Sequence, residues 1–444
     1  MVLCATALFF VIRSLGETPV GPAQATSRVA PAGPASDALQ HLLVTLTAVV
    51  IAGRLLGRLL RRMGQPPVLG EVIAGVMLGP SLLGAVSPEA YRFVLAPEVV
   101  PYLGIVSQLG VVFYMFLVGV ELNPDLMRGQ LHVTVATSHA SILVPFVLGS
   151  ALALFLYPRF ASPDVPFTSF ALFIGIAMSI TAFPVLARIL SDLKLTKTDL
   201  GTVALTCAAV DDVTAWCLLA LVVGVVEAST GMAVVATVLT LAFILLMFAV
   251  VRPGIGKALR ASDEAEPGHG RIALAVVGMM AAALTTEAIG VHALFGAFLF
   301  GAVIPHDSRL AHALTRGFEG FVKILLLPAF FAFAGMRTEI GLLSGVDAWV
   351  ACGLIVLVAT AGKFGGTLVA ARAGGLRWQS AAALGVLMNT RGLMQLIVLN
   401  VGLDLGVITP TLFTMMVVMA LVTTIATTPA LQMLLRRGFV PDLR

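Results

Sequence analysis

The sequence predicts an all-α polytopic membrane protein, and three observations carry that expectation. Of its 444 residues, 59% are hydrophobic and only 11% charged, against about 45–50% and about 25% in a soluble domain. The mean hydropathy is +1.02, and the apolar residues gather into about thirteen segments, each near the ~20 residues that cross a bilayer as a helix. Strict period-two alternation, the mark of a membrane β-barrel, is absent. So little polar surface excludes a soluble enzyme, a disordered tract, collagen and a coiled coil. The net charge of +4 and pI near 9.0 do not imply a nucleic-acid partner, because basic loops in such a chain report orientation. The surface is built for the lipid bilayer.

Along the chain, a first apolar run at 2–12 is too short to span comfortably, and a Pro/Ala/Gly-rich linker extends to residue 36. Ala23-Gln24-Ala25 fits a signal-peptide cleavage site, yet no basic residue precedes the run and Arg13 follows it. An extra anchor and an overcalled start remain equal readings. A single transmembrane domain is expected over 37–436, followed by a short cytoplasmic tail, 437–444. Its segments lie at about 38–60, 66–86, 103–121, 132–157, 166–190, 198–226, 230–252, 270–289, 291–306, 321–337, 345–372, 378–402 and 408–436. Each is read as helix, since in lipid only helices and closed barrels satisfy every backbone polar group.

Alternate loops carry the basic residues: Arg58, Arg61 and Arg62; Arg128; Lys194 and Lys197; Arg252, Lys257, Arg260 and Arg271; Arg309 and Arg316; Arg372 and Arg377; Arg436 and Arg437. The positive-inside rule places these loops in the cytoplasm. Asp37 then lies outside and the C-terminus inside, as an odd number of spans requires, in a cell inner (plasma) membrane. No attached nucleotide-binding or other soluble domain is expected. Cys4, Cys207, Cys217 and Cys352 stand in apolar stretches without metal-ligand spacing, so neither disulfide nor cofactor is expected.

A charge near the bilayer centre costs at least ~2.5–3.5 kcal/mol on insertion scales and marks function. Asp211-Asp212 lies midway along the 198–226 segment. Adjacent helix positions point ~100° apart, so the carboxylates face different neighbours. Such a pair suits a site that exchanges a proton for a cation. Lys363 stands mid-span among glycines, in a chain whose default cation is arginine, and its natural partner is one of the two aspartates. Thr181, Ala182 and Pro184 interrupt the 166–190 segment, because proline removes a helix hydrogen bond and disfavours helix at the residue before it. Asn389, Thr390, Arg391 and Gly392 interrupt 378–402 at similar depth. Paired interrupted helices in two halves point to a transporter's binding site. Glu71 and Glu287 are expected to support the structure by pairing with Arg391 or Arg337, and His292 to be a hydrogen-bonded helix-end histidine.

These residues carry a family resemblance. The runs QPPVLGEVIAGVMLGPS (65–81), LGVVFYMFLVGVEL (109–122), SITAFPVLARIL (179–190), AAVDDVTAWCLLA (208–220), GVHALFGAFLFGAVIP (290–305), LPAFFAFAGMRTEI (327–340) and MNTRGLMQLIVLNVGLDLGVI (388–408) resemble the monovalent cation:proton antiporters. The branch is that of the Kef, NapA-type and plant CHX exchangers, in the sodium/hydrogen exchanger superfamily. The resemblance covers roughly 38–436. It implies an inverted-repeat fold, with a six-helix core, two crossed discontinuous helices and a separate dimerisation domain, in a homodimer. It also implies that Asp212 carries the ion and the proton, with a monovalent cation, Na⁺ or K⁺, bound there, and that Asp211 pairs with Lys363.

Two departures from the family pattern bear on mechanism. Many relatives have Asn or Gln in place of Asp211, and keeping both carboxylates favours an electrogenic exchanger. Gln395 stands where relatives often have Glu, which weakens any pH-sensing role there. A sodium-coupled solute symporter of related fold is the alternative, but it needs a roomier polar cavity and further sodium ligands. An ion channel should show a filter-like loop or a ring of charges.

Overall fold

The computed structural model describes residues 35–96, 98–121, 131–196, 198–227, 230–260, 268–290 and 292–436. The possible signal peptide and the 437–444 tail lie outside the described residues. Among the described residues nine helices are long and apolar enough to cross a membrane, with shorter apolar helices beside them. The strand-like element there is an isolated bridge between Ala161 and Ile408.

The helices follow the expected order: α1 (Ala35–Arg62), α2 (Pro67–Leu78), α3 (Val100–Glu121), α4 (Leu131–Phe160), α5 (Phe167–Ser179), α6 (Phe183–Asp192), α7 (Asp199–Glu227), α8 (Thr230–Leu246), α9 (His269–Ile289), α10 (Ala293–Val303), α11 (Arg309–Phe321), α12 (Leu327–Met336), α13 (Val346–Ala373), α14 (Trp378–Met388), α15 (Leu393–Asp404) and α16 (Pro410–Arg436). Three segments differ from expectation. The 66–86 helix stops at Leu78, where Gly79 caps it in extended backbone and Pro80 follows. The 321–337 helix begins a full twelve residues earlier, because a π-turn at Val322–Leu326 joins the amphipathic α11 to α12. A second π-turn, Met247–Val251, carries α8 on to Arg260.

The same arrangement occurs twice: long helix, broken pair, long helix. It runs once as α4, α5–α6, α7 and again as α13, α14–α15, α16. These six segments pack on one another, while α1, α2, α3, α9, α10 and α12 pack into a second group beside them. The two copies meet where α4 and α13 cross in antiparallel sense. There a Cβ at Gly362 would stand 2.9 Å from the Pro145 backbone, and one at Gly366 2.8 Å from Val144. Small residues let membrane helices approach to backbone contact, and here that contact brings Lys363 against α4. The antiparallel crossing and the repeated order form the inverted repeat.

Candidate functional site

The two broken segments cross inside the six-helix group. α5 ends at Ser179, and the last carbonyls of any helix have no intrahelical donor. Lys363 Nζ donates to the Ser179 carbonyl at 2.5 Å. Arg391 donates through Nη1 to Ala177 at 3.0 Å and through Nη2 to Met178 at 2.7 Å. Two cations thus close the negative end of a half-helix, where the backbone dipole favours them. At the crossing the Ala182 N–H donates to the Thr390 carbonyl at 3.0 Å. Thr424 of α16 lies 2.7 Å from the Arg391 carbonyl, and its Oγ1 accepts from the Arg391 N–H at 3.0 Å. A Cβ at Gly392 would stand 2.6 Å from Cγ2 of Val185, so glycine is what lets the unwound stretches pass this closely. Pro184 occupies the first turn of α6, where its missing N–H costs nothing.

Asp211 and Asp212 differ in what they touch. Asp211 is fully buried, and its Oδ1 accepts from Ser138 Oγ at 2.7 Å. Its Oδ2 accepts from Ser141 Oγ at 2.7 Å, Thr181 Oγ1 at 2.8 Å and Lys363 Nζ at 3.0 Å. Lys363 is equally buried and also donates to the Ser141 carbonyl at 2.9 Å. The Asp212 carboxylate accepts from the Phe183 N–H, at the start of α6. A helix N-terminus is where an anion is favoured. Yet Asp212 Oδ1, though buried, meets no hydrogen-bond donor, and neither does Oδ1 of Asn389 in the opposite break. One carboxylate has donors on both oxygens, and its neighbour keeps an oxygen without any.

The structure thus brings Asp211, Asp212, Lys363, Thr181, Ala182, Thr390, Arg391 and Gly392 together, with Asn389 beside them. It does not give Glu71 and Glu287 the partners expected of them. Arg391 has spent its Nη donors on helix-end carbonyls and on Gln395 Oε1, 3.0 Å away. Arg337 closes α12 and reaches across to α15, bonding Asn400 Oδ1 at 3.0 Å and Asp404 at 2.5 Å. Glu71 lies instead against α1, over Gly53 and near Arg54. Glu287 accepts from the Ala293 N–H at 2.8 Å, in the turn where His292 caps α10. Ser138 and Ser141 escaped the sequence reading. Their signal was a polar cluster, Thr137-Ser138-His139 with Ser141, at one end of a span that is largely apolar from Ile142 onward.

Residues 45–437 match the family described as sodium/hydrogen exchanger, transmembrane. The chain is similar to the Na⁺/H⁺ antiporter NhaS4 of Synechocystis, at 47% identity over 87% of this chain and 96% of that one. It is 39% identical to cation/H⁺ antiporter 17 of Arabidopsis thaliana over 93% of this chain and 51% of that one. With K⁺/H⁺ antiporter 1 of Saccharomyces cerevisiae the identity is 33%, over 84% of this chain and 44% of that one. The chain therefore spans about half the length of these plant and yeast relatives. Among solved structures, the sodium proton antiporter MjNhaP1 of Methanocaldococcus jannaschii shares the fold, with a TM-score of 0.63 at 15% identity over 89% of this chain and 98% of that one. With the match running through both broken helices, the aspartate pair and the buried lysine, this multi-pass membrane chain belongs to the sodium/hydrogen exchanger family.

Proposed function

We propose that the chain is a secondary antiporter, not an enzyme, that exchanges protons for Na⁺ or K⁺ by alternating access and needs no cofactor. One observation carries the reading: of two adjacent buried carboxylates, Asp211 is saturated with donors while Asp212 keeps an unpartnered oxygen at the crossing of the broken helices. Asp212 holds either the cation or the proton, never both, which is the chemical basis of exchange. Oxygens at the two breaks, including that of Asn389, supply further ligands for a small monovalent cation. The six-helix group then moves against its neighbour and exposes Asp212 to the other side.

Relatives named for sodium and for potassium both resemble the chain, so the assay spans both ions. The protein works as a homodimer in the plasma membrane with its C-terminus in the cytoplasm. Leu39, Leu43, Ile51, Leu55 and Leu59 expose an apolar face on α1 that supports lipid or dimer contact, and the loop charges support the orientation. The transport unit is 37–436. Lys363 gives up a second proton when a cation enters beside it, which makes the cycle electrogenic.

The test is dissipation of a pH gradient in proteoliposomes by Na⁺, K⁺, Li⁺ and Rb⁺, with and without an imposed voltage. Exchange by the wild type and none by Asp212→Asn is the expected result, since Asn cannot alternate between anion and neutral acid. Cation-driven proton release that persists in Asp212→Asn removes Asp212 from the centre of the mechanism.

A further inference from the structure

The hydroxyls around Asp211 are more numerous than its pairing with Lys363 requires. Breaking a buried ion pair by removing one partner leaves an uncompensated charge, and an antiporter whose lysine releases its proton does this in every cycle. Ser138 and Ser141, three residues apart on α4, each place a hydroxyl 2.7 Å from Asp211, one on each carboxylate oxygen. Residues so spaced share a helix face. Both serines are fully buried. Ser141 Oγ also lies 2.9 Å from the Ser138 carbonyl, a local acceptor of the kind serine uses inside helices. Its single proton thus has two acceptors within reach.

We infer that Ser138 and Ser141 are positioning residues that let Lys363 part from Asp211, by holding both oxygens of that carboxylate once the lysine's donor is withdrawn. With the hydroxyls present, Asp211 remains an anchored anion whether Lys363 is charged or neutral. Without them, Oδ1 has no donor and Oδ2 keeps only Thr181 Oγ1 and Lys363 Nζ, so the lysine cannot release its proton without leaving the whole carboxylate on a single hydroxyl. The groups facing Lys363 are Asp211 and Asp212 of α7, Arg391 of the α14–α15 break and, one turn along α7, Cys207. None of these takes over the donor role of the serines: the aspartates have no donor to give, Arg391 spends its Nη donors on carbonyls and Gln395 while its Nε meets no acceptor, and a thiol is a weak donor.

The inference rests on the antiporter reading, and its test separates the two. Ser138→Ala/Ser141→Ala is compared with wild type and Lys363→Gln in proteoliposomes, reading transport against imposed voltage. The expected variant still exchanges, but its voltage response falls to that of Lys363→Gln, while Ser138→Thr/Ser141→Thr, which keeps both hydroxyls, retains the wild-type response. A variant that is slower or less stable yet responds to voltage like wild type overturns the inference. Should wild type itself ignore voltage, the two-proton cycle fails, and a melting-temperature cycle in detergent decides for the serines. There the double alanine change must destabilise the Lys363→Gln protein more than it destabilises wild type, with a coupling worth roughly tenfold or more in the folding equilibrium. Additive losses overturn the inference independently of transport.

Discussion

Replacing Arg391 with leucine removes the guanidinium that closes α5 while roughly conserving volume. In the structure this side chain is fully buried, and its bonds of 3.0 and 2.7 Å hold the carbonyls of Ala177 and Met178. Leucine leaves three buried acceptors without this donor, the two carbonyls and Gln395 Oε1. Each stranded group costs about 1–3 kcal/mol, so the loss is about 3–9 kcal/mol, enough to lower the melting temperature by several degrees. Lysine at this position restores the charge but, as a point donor without the planar fork, serves one carbonyl well and recovers only part of the loss. The assay is heating in detergent followed by size exclusion, with fluorescence reporting the monodisperse fraction. Cation exchange is measured in parallel on the protein that survives purification. The order wild type, Arg391→Lys, Arg391→Leu is expected in both. Stability of Arg391→Leu equal to wild type would show that the carbonyls find other donors, and would refute the assignment of Arg391 as the cap of the half-helix.

Asp212→Asn should leave folding and insertion unchanged while abolishing exchange of every cation, as read by gel filtration and proton flux. Lys363→Gln should still run but lose its response to imposed voltage, and Lys363→Arg should do worse than Gln because a guanidinium does not deprotonate in proteins; a wild-type voltage response in Lys363→Gln refutes the lysine's role as second proton donor. Gly392→Leu should weaken apparent cation affinity more than expression, because its Cβ meets Val185 at 2.6 Å and pushes the crossing apart; an unchanged apparent affinity would mean that the crossing gives way without cost.

What the sequence made legible follows from lipid's intolerance of exposed polarity. Charges at Asp211, Asp212 and Lys363 stand out because a bilayer otherwise excludes them, and the Pro184 and Gly392 breaks because they interrupt corresponding segments of two halves. The pairing of Lys363 with one of the aspartates was legible for the same reason. Arg391 was visible, but its partners were not: backbone carbonyls are present at every residue, so nothing in the sequence distinguishes Ala177 and Met178 as acceptors. Glu71 and Glu287 were assigned to distant arginines because both charges were visible and their helix-end and interhelical neighbours were not. Ser138 and Ser141 were hidden for another reason. Serine is tolerated in membrane helices through bonds to its own backbone, so its presence alone announces nothing. The early stop of α2 followed from Gly79-Pro80, a breaker that the apolar run on either side masked.

The contact between α4 and α13 sets a length as well as a position. With no side chain at 362 or 366 to separate the two backbones, the lysine between them reaches Asp211 at 3.0 Å and the Ser141 carbonyl at 2.9 Å. Hydrogen bonds of this kind are lost when the gap widens by much more than half an ångström. Two residues without functional groups therefore act as spacers for the charged ones, and a methyl added at either would be read out as a longer ion pair. Searches for functional positions that look only for reactive side chains would pass over Gly362 and Gly366, although the electrostatics of the membrane interior depends on the thinness they provide.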